Sequence, residues 1–538
     1  MLSPTQARLQ DDLRGLIEGE VRCDETTLHL FATDASLFTM RPAGVVWPKS
    51  TKDVVACVNY AAEKKLSIHP RGAGTGRGGG ALGAGLVLDF TRFMRRLVRV
   101  DDEIIVVQPG AIRSRINAML RRTHDRMIGP DGGFAPATTL GSWFACDGAG
   151  QSWLKYGSPR NDIAALELVL ANGEVLSVQA EHVSEKRFSG ELEKQIYSGV
   201  QNWLTPSLRE ICLEQSDASP DRAGYRLEGV MHTSPVGERL SDGMNLARLF
   251  AGSEGTLALI TEMQIKTVPC PVHAGGTIFL FDSLEKAARA VSILRLHQPN
   301  CCELLDRRRI NMVREWDKRY VPFLPPETEA ILFVEIDALQ SHEITDRLNA
   351  MFDALQTGEH LCCGVRHAYG QQELEFFRDF LRKGEIALMR MTLPYKALPL
   401  FEDIAVPIDK LPAFLMLVQN IFKRNEVFAS FNGHVGHGHL RMNPIIDISQ
   451  ENVTELLSRL VEEIYTEVIQ QGGTISTDGV CGRVGAGFLP QQHQFLFPVF
   501  QAIKTLLDPQ NLFNPGKVIA DETDASWMDS LRWNPPFA

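Results

Sequence analysis

A chain of 538 residues is longer than one hydrophobic core supports, so two or three domains are expected. Its 44% hydrophobic and 22% charged content is that of a soluble globular protein, and a net charge of −11 argues against a general nucleic-acid binder, which needs a basic footprint. No stretch reaches the roughly 18 apolar residues of a spanning helix, and MLSPTQARLQDDLRGL lacks the apolar core of a signal peptide. The expectation is a cytoplasmic chain, or one peripheral to the inner membrane. Ten cysteines without a C-x-x-C pattern read as buried reduced thiols.

Residues up to about 40 read as a helical arm. Gly44–Trp47 is a short strand. Ser50 then caps a helix with Asp53 in the capping-box position, and Val54, Val58 and Ala61 share one face of it. A second strand ends in the loop Pro70-Arg71-Gly72-Ala73-Gly74-Thr75-Gly76, and a third follows at Leu86–Leu88. Glycine lets backbone N–H groups approach an anion without a Cβ in the way, and Arg71 and Thr75 add donors, so the loop reads as a pyrophosphate cradle. Gly74, Gly76 and Gly79 fit G-x-G-x-x-G, but a Rossmann site needs that pattern to open a helix, and here more glycine and a strand follow.

Ile104–Val107 is a strand, and Arg113–Arg122 is a basic helix. The glycine- and threonine-rich stretch 129–150 has the length of a functional loop. The runs either side of Asn172-Gly173 predict a hairpin with a type I′ turn. Pro269–Gly276 marks a boundary. Beyond it, strands at Thr277–Phe281, Cys302–Leu305 and Ala330–Ile336 alternate with helices, Glu343–Leu355 among them. That spacing suggests an antiparallel sheet covered on one face by helices, a ferredoxin-like cap. Asp409–Asn425 and Glu451–Gln471 are further helices. A helix over His493–Leu507 and the turn Asn514-Pro515-Gly516-Lys517 return to the first domain, and the tail after Lys517 reads as a linker. The expected domains are 1–268, 269–480 and 481–538.

The string GHVGHGHLRMN places His434, His437 and His439 between glycines, a pattern that suits a metal because imidazole is a common ligand and the loop can bend. His434 and His437 meet only if the loop turns. In an extended chain His437 and His439 share a face.

Four ordered blocks carry a resemblance: PRGAGTG, Gly129-Pro130-Asp131, Thr138-Thr139-Leu140-Gly141 and Gly252-Ser253-Glu254-Gly255-Thr256-Leu257. The chain resembles the FAD-linked oxidases of the vanillyl-alcohol oxidase type, with a PCMH-type FAD domain, and within them the D-lactate and D-2-hydroxy-acid dehydrogenase branch. The likeness runs from Ala32-Thr33-Asp34 to Lys517. It implies an α+β fold: a two-subdomain FAD-binding domain with the ferredoxin-like α/β cap inserted. It also implies FAD held by Pro70–Gly76, Pro130, Asp131, Thr138, Thr139, Gly141, Ser142, Gly148, Gly255, Ile260 and Asn514. The implied activity is hydride transfer from a small 2-hydroxy acid to flavin, with an iron–sulfur protein or a quinone as acceptor. The expectation is a chain without the iron–sulfur domain of some relatives.

For the reaction itself the resemblance implies Arg382 and Lys396 on the substrate carboxylate, Asn443 at a substrate-contacting position and a divalent metal, Zn or Mn, at His434. Departures are plain. Arg441 stands where a second metal histidine is usual, Asp478 replaces a glutamate ligand, and Gly479 replaces the catalytic histidine. Arginine is neither a metal ligand nor an ordinary base. The expectation is a metal-free or weakly metal-binding site in which His434, His437 or His439 takes the proton. The same losses also fit a flavin-binding relative that acts through protein interaction. Ser142 and Asp147 depart from the family within the flavin-binding stretch, and Asp147 opposes a phosphate unless it points away. His69 is a conceivable flavin linkage site, though a structural histidine is the simpler reading.

Overall fold

The computed structural model describes residues 2–129, 136–215, 221–233, 240–357, 360–392, 394–520 and 526–533. Pro130 and Asp131 lie outside the described residues. The chain forms two compact units, one of residues 1–148, 158–269 and 478–538, the other of residues 149–157 and 270–477. Three details differ from the sequence expectation: the short segment 149–157 belongs with the second unit, the boundary falls after Pro269 and not after 268, and the chain returns at Asp478 rather than at 481.

Among the described residues the first unit has two larger sheets, besides a two-stranded pairing of Arg126–Met127 with Val268–Pro269. One is β1 (Glu20–Arg22), β2 (Gly44–Trp47), β3 (Ile68–Arg71) and β4 (Leu86–Asp89), in the order β1-β2-β4-β3. β2, β4 and β3 run parallel, so a crossover must join β2 to β3, and α1 (Thr51–Lys64) is that crossover. Ser50 caps α1, its Oγ accepting from the Asp53 N–H at 3.3 Å. Val54, Val58 and Ala61 are fully buried. Because parallel strands place their C-terminal ends on one side, the loop after β3 emerges at an edge where a ligand can reach backbone amides.

The second sheet contains β5 (Leu97–Asp101), β6 (Ile104–Val107), β7 (Ile163–Val169), β8 (Val175–His182), β9 (Met231–Thr233), β10 (Leu240–Asn245) and β11 (Leu259–Lys266). Their order is β9-β10-β8-β7-β11-β6-β5. β11 alternates buried and half-buried residues, as a strand with one covered face must. The β7–β8 hairpin corrects the type I′ expectation. Gly173 has φ +82°, but Asn172 does not share the positive φ that a type I′ turn requires. Instead the Gly173 N–H donates to the Leu170 carbonyl and the Leu170 N–H to the Glu174 carbonyl, a longer turn closed by one left-handed glycine. The tail is not a linker throughout: Leu531 bridges Phe38 and is fully buried, and Trp527 meets the Phe38 ring edge-on.

The second unit opens with β12 (His273–Phe281), α2 (Leu284–Arg295), β13 (Cys301–Asp306), α3 (Arg307–Trp316), β14 (Ala330–Ala338), α4 (Ser341–Gln356), β15 (Gly364–Ala368) and α5 (Gln371–Ala387). These strands pair antiparallel in the order β15-β12-β14-β13, fourth-first-third-second in chain order. The sheet then continues through β18 (Phe428–Gly433) and β19 (His439–Asp447), and β19 also pairs β16 (Tyr395–Ala397) and β17 (Phe401–Ala405). Helices α6 (Leu411–Arg424) and α7 (Val453–Gln470) complete the unit.

Helices cover both faces of this sheet, not one. A Cβ on Gly275 would meet Ile344 of α4, whereas one on Gly276 would meet Leu374 of α5. Neighbours in a strand point to opposite faces, so α4 and α5 lie on opposite sides. All six residues of β13 are accordingly buried.

Candidate functional site

In the first unit, glycine brings three segments together around the loop after β3. A Cβ at Gly72 would lie 2.3 Å from Thr139 Oγ1, and one at Gly255 would lie 2.4 Å from Pro70 Cγ. No real Cβ tolerates such contacts, so Gly72 and Gly255 are what let the segments 70–80, 138–142 and 252–256 close on one another. Asn514 ties them further. Its Nδ2 donates to the carbonyls of Gly80 and Glu254, both at 2.8 Å, and its Oδ1 meets His69 Nδ1 at 2.9 Å. By contrast, a Cβ at Gly76 would meet nothing within 4 Å. The loop is thus closed on its inner side and open at Gly76, the shape that backbone binding of a pyrophosphate needs. FAD fits the residues present.

Several expected donors have other duties. Arg71 folds back over the Phe31 ring, its carbon 5.0 Å from the ring centre, and donates to the Phe31 and Thr33 carbonyls. It braces the loop from behind. Thr139 caps the short helix Leu140–Ala145 and exchanges a hydrogen bond with Ser142 Oγ at 2.7 Å, and the Thr138 carbonyl accepts from the Arg113 N–H. Gly141 packs on Pro109, and Gly148 is buried. Ile260 sits in β11, paired with Leu168.

Asp147, with φ +49°, turns into the protein. Its carboxylate accepts from Ser158 Oγ and the Arg160 N–H and lies 3.2 Å from Arg222 Nε. This aspartate is a structural anion. His69 is engaged at both nitrogens, by Ser67 Oγ and Asn514, and burial pushes its pKa down to about 3. It is a packed core histidine.

In the second unit, sheet register builds the candidate site. β13 pairs β18 with Leu304 opposite Gly433 and Leu305 opposite Asn432, so the next position sets Glu303 opposite His434. β18 pairs β19 with Asn432 opposite Arg441, which sets His434 opposite His439. Side chains two apart share a face. Glu303, His434, Asn432, Arg441 and His439 therefore stand together on one face, the face that α5 covers, since Gly384 packs on Leu305. Between the strands, Val435–His437 forms a tight turn that ends at Gly438 with φ +84°. A Cβ there would strike the Val406 carbonyl at 2.0 Å.

The contacts follow from this layout. His434 Nδ1 lies 2.6 Å from Glu303 Oε2, and Arg441 Nη2 lies 3.2 Å from His434 Nε2. Arginine can only donate, so Nε2 is the acceptor and Nδ1–H faces the Glu303 carboxylate. Arg441 Nη1 reaches Glu385 Oε1 at 3.3 Å, and Asn432 Nδ2 donates to the same oxygen. His439 is committed on both sides: Nδ1 accepts from the His434 N–H at 3.3 Å, and Nε2 meets the Glu402 carbonyl at 3.1 Å. His437 packs against Trp153 with the ring centres 4.8 Å apart and the planes tilted by 48°, and it lies nearly parallel to His439 at 5.8 Å.

His434 and His439 bring ring nitrogens within 4.8 Å of each other, the closeness a metal centre shows. As arranged, however, each of these four ring nitrogens already has a hydrogen-bond partner, and the donor set does not fit a metal. Asp478, the other expected ligand, opens the returning segment one residue after Thr477.

The remaining expected residues are also placed. Asn443 is buried, with Oδ1 accepting from Arg309 and Nδ2 donating to Glu402 and the Leu398 carbonyl, so its amide is spent on the protein. Lys396 in β16 donates to the Met391 carbonyl at 3.0 Å. Arg382 is half-exposed, 3.8 Å from both Glu375 and Asp379, and stands one helical turn before Glu385. Glu303, Glu385, Arg309, Asn432 and Glu402 were missed as site residues. One signal was available for the first: Glu303 interrupts an apolar strand, CCELLD, at a position that is only 3% exposed.

Comparison with known proteins agrees with this division. Residues 42–179 match the FAD binding domain, and residues 275–518 match the C-terminal domain of FAD linked oxidases. The chain belongs to the FAD-linked oxidases with a PCMH-type FAD domain. Within them its likeness falls in the hydroxy-acid branch. It is 24% identical over 528 residues to the D-2-hydroxyglutarate dehydrogenase of Haemophilus influenzae, covering 93% of this chain and 50% of that protein. It is 26% identical over 491 residues to the glycolate oxidase subunit GlcD of Bacillus subtilis, covering 89% of this chain and 90% of that one. The chain thus spans about half the length of the curated D-2-hydroxyglutarate dehydrogenases it matches. Among solved structures, 4-ethylphenol oxidase from Gulosibacter chungangensis superposes with a TM-score of 0.68 at 16% identity, covering 97% of this chain and 98% of that one. p-Cresol methylhydroxylase gives 0.66 at 13%, covering 97% and 99%. These likenesses establish the fold.

Proposed function

We propose that this protein is an FAD-dependent dehydrogenase of a small 2-hydroxy acid, of the D-lactate, glycolate or D-2-hydroxyglutarate type. The observation that carries the reading is the Glu303–His434–Arg441 row, a carboxylate-held imidazole beside a fixed guanidinium, in a chain that also has an FAD-binding domain. FAD, when bound, supplies the two-electron acceptor for the hydrogen on the substrate's Cα. Glu303 fixes His434 with its lone pair on Nε2, so His434 takes the hydroxyl proton as general base once the substrate hydroxyl replaces Arg441 Nη2 as the donor to that nitrogen. Arg441, beside that nitrogen, stabilises the negative charge that develops on the hydroxyl oxygen. Arg382 and Lys396 hold the carboxylate, for which a guanidinium fork is well matched. An iron–sulfur protein or a quinone takes the electrons onward.

Adding D-lactate, glycolate and D-2-hydroxyglutarate in turn to the flavin-loaded protein, without oxygen, tests this. One of them is expected to abolish the oxidised flavin absorbance band. A fully loaded protein that none of them bleaches would contradict the reading and favour a flavin-binding relative that acts through protein contacts.

A further inference from the structure

We infer that the His434 cluster is metal-free by construction, with the Arg441 guanidinium occupying the position that a divalent cation would take. A metal binds an imidazole through a nitrogen lone pair, and the ring's other N–H must find a partner. His434 has its N–H partner in Glu303, at 2.6 Å. Its remaining lone pair on Nε2 faces Arg441 Nη2 at 3.2 Å. The second imidazole in reach offers no alternative: His439 donates from Nε2 to the Glu402 carbonyl, so its only lone pair, on Nδ1, receives the His434 backbone N–H.

Charge points the same way. Arg441 is held on its other side by Glu385, which Asn432 also fixes, so the guanidinium is a braced cation and not a flexible one. A dication placed at Nε2 would sit against a permanent positive charge in a buried site, where repulsion is poorly screened. The side chain of Arg441 is only 13% exposed, and swinging it into solvent would take its charge away from the buried Glu385 carboxylate. The result is a site whose positive charge is covalently part of the chain.

This concerns the same cluster as the hydroxy-acid reading and rests on it for the role of the cation, yet its test reads metal content and not turnover. The full-length protein, wild type, Arg441→His and His434→Gln, is incubated with Zn or Mn and freed of excess ion. Bound metal and bound flavin are then measured, flavin retention reporting the fold. Wild type is expected to carry no stoichiometric metal, whereas Arg441→His, which removes the cation and adds a lone pair beside Nε2, gains one equivalent. A wild-type metal lost in His434→Gln with flavin retained would overturn the inference. So would an Arg441→His protein that keeps its flavin and still takes up no metal. Should Arg441→His lose its flavin, Arg441→Gln serves as the second variant, and its uptake of Zn or Mn is read by the same two outcomes.

Discussion

The two units carry their chemistry in different materials. The cradle of the first is backbone, shaped by what Gly72, Gly76 and Gly255 lack. The cluster of the second is polar side chain, buried in a sheet and held by the Glu303–His434 and Arg441–His434 hydrogen bonds and the Arg441–Glu385 ion pair. A backbone site tolerates variation in side chains but no added Cβ. A side-chain site tolerates little change in charge, because each buried group is another's counterpart.

The largest expected effect breaks the second unit's chemistry while sparing the first. His434→Gln keeps a partner for Glu303 but cannot take a proton. Its turnover is expected to fall on the order of 10²–10⁴-fold with flavin content unchanged, measured by steady-state kinetics beside flavin absorbance. Arg441→Ala takes the guanidinium away from the buried Glu385 carboxylate and is expected to cost about 3 kcal/mol of stability, read as a lower urea midpoint of the second unit.

The reciprocal test is Gly76→Ala. A Cβ there meets no protein atom within 4 Å, so the protein without flavin should melt as wild type does. The same methyl enters the open side of the cradle, and FAD affinity is expected to drop at least about tenfold, the equivalent of roughly 1.4 kcal/mol. Gly72→Ala, aimed at Thr139 Oγ1 at 2.3 Å, should instead lower both stability and flavin content. Equal loss of flavin and stability in the two variants would remove the distinction between the cradle's inner and open sides.

A third prediction belongs to the first unit alone. His493 is buried between Glu214, 3.0 Å from Nδ1, and Asp221, 3.2 Å from Nε2. Burial by itself lowers its pKa, but the Asp221 and Glu214 carboxylates outweigh that and raise it to about 9, above the ordinary 6.5. A folded-state pKa above the unfolded one stabilises below the lower value and loses its effect as pH rises through the higher. The contribution, about 3 kcal/mol at most, should be complete below pH 6.5 and gone above pH 9. Urea midpoints across that window should fall in wild type and stay flatter in His493→Gln. The smallest effect is expected from Arg382→Ala, half-exposed on α5: a KM increase of a few fold to about tenfold, about 1 kcal/mol, with kcat little changed.

The contrast between the units also explains what could be read from sequence. The cradle was legible because its cause is local: PRGAGTG, TTLG and GSEGTL announce missing side chains. Their packing on one another confirmed nothing that a single loop could have specified, since Asn514 and Thr139 come from far along the chain. The histidine string was legible as a string, but its meaning was not. Glu303 reaches His434 only because β13 pairs β18, and Glu385 arrives from a helix, so the partners that decide whether His434 has a free lone pair are 131 and 49 residues away. Arg71 and Asn443 have contacts that their motifs do not announce: Arg71 donates to the Phe31 and Thr33 carbonyls, and the Asn443 amide bonds Arg309 and Glu402.

The most direct test sets wild type and His434→Gln side by side, both loaded with FAD, without oxygen and in the presence of a chelator. The hydroxy acid that bleaches wild-type flavin is expected to do so with the chelator present, and the variant, equally loaded, is expected to bleach at least about a hundredfold more slowly. Equal bleaching rates in the two proteins, or a wild-type reaction abolished by the chelator and restored by Zn or Mn, would contradict this expectation.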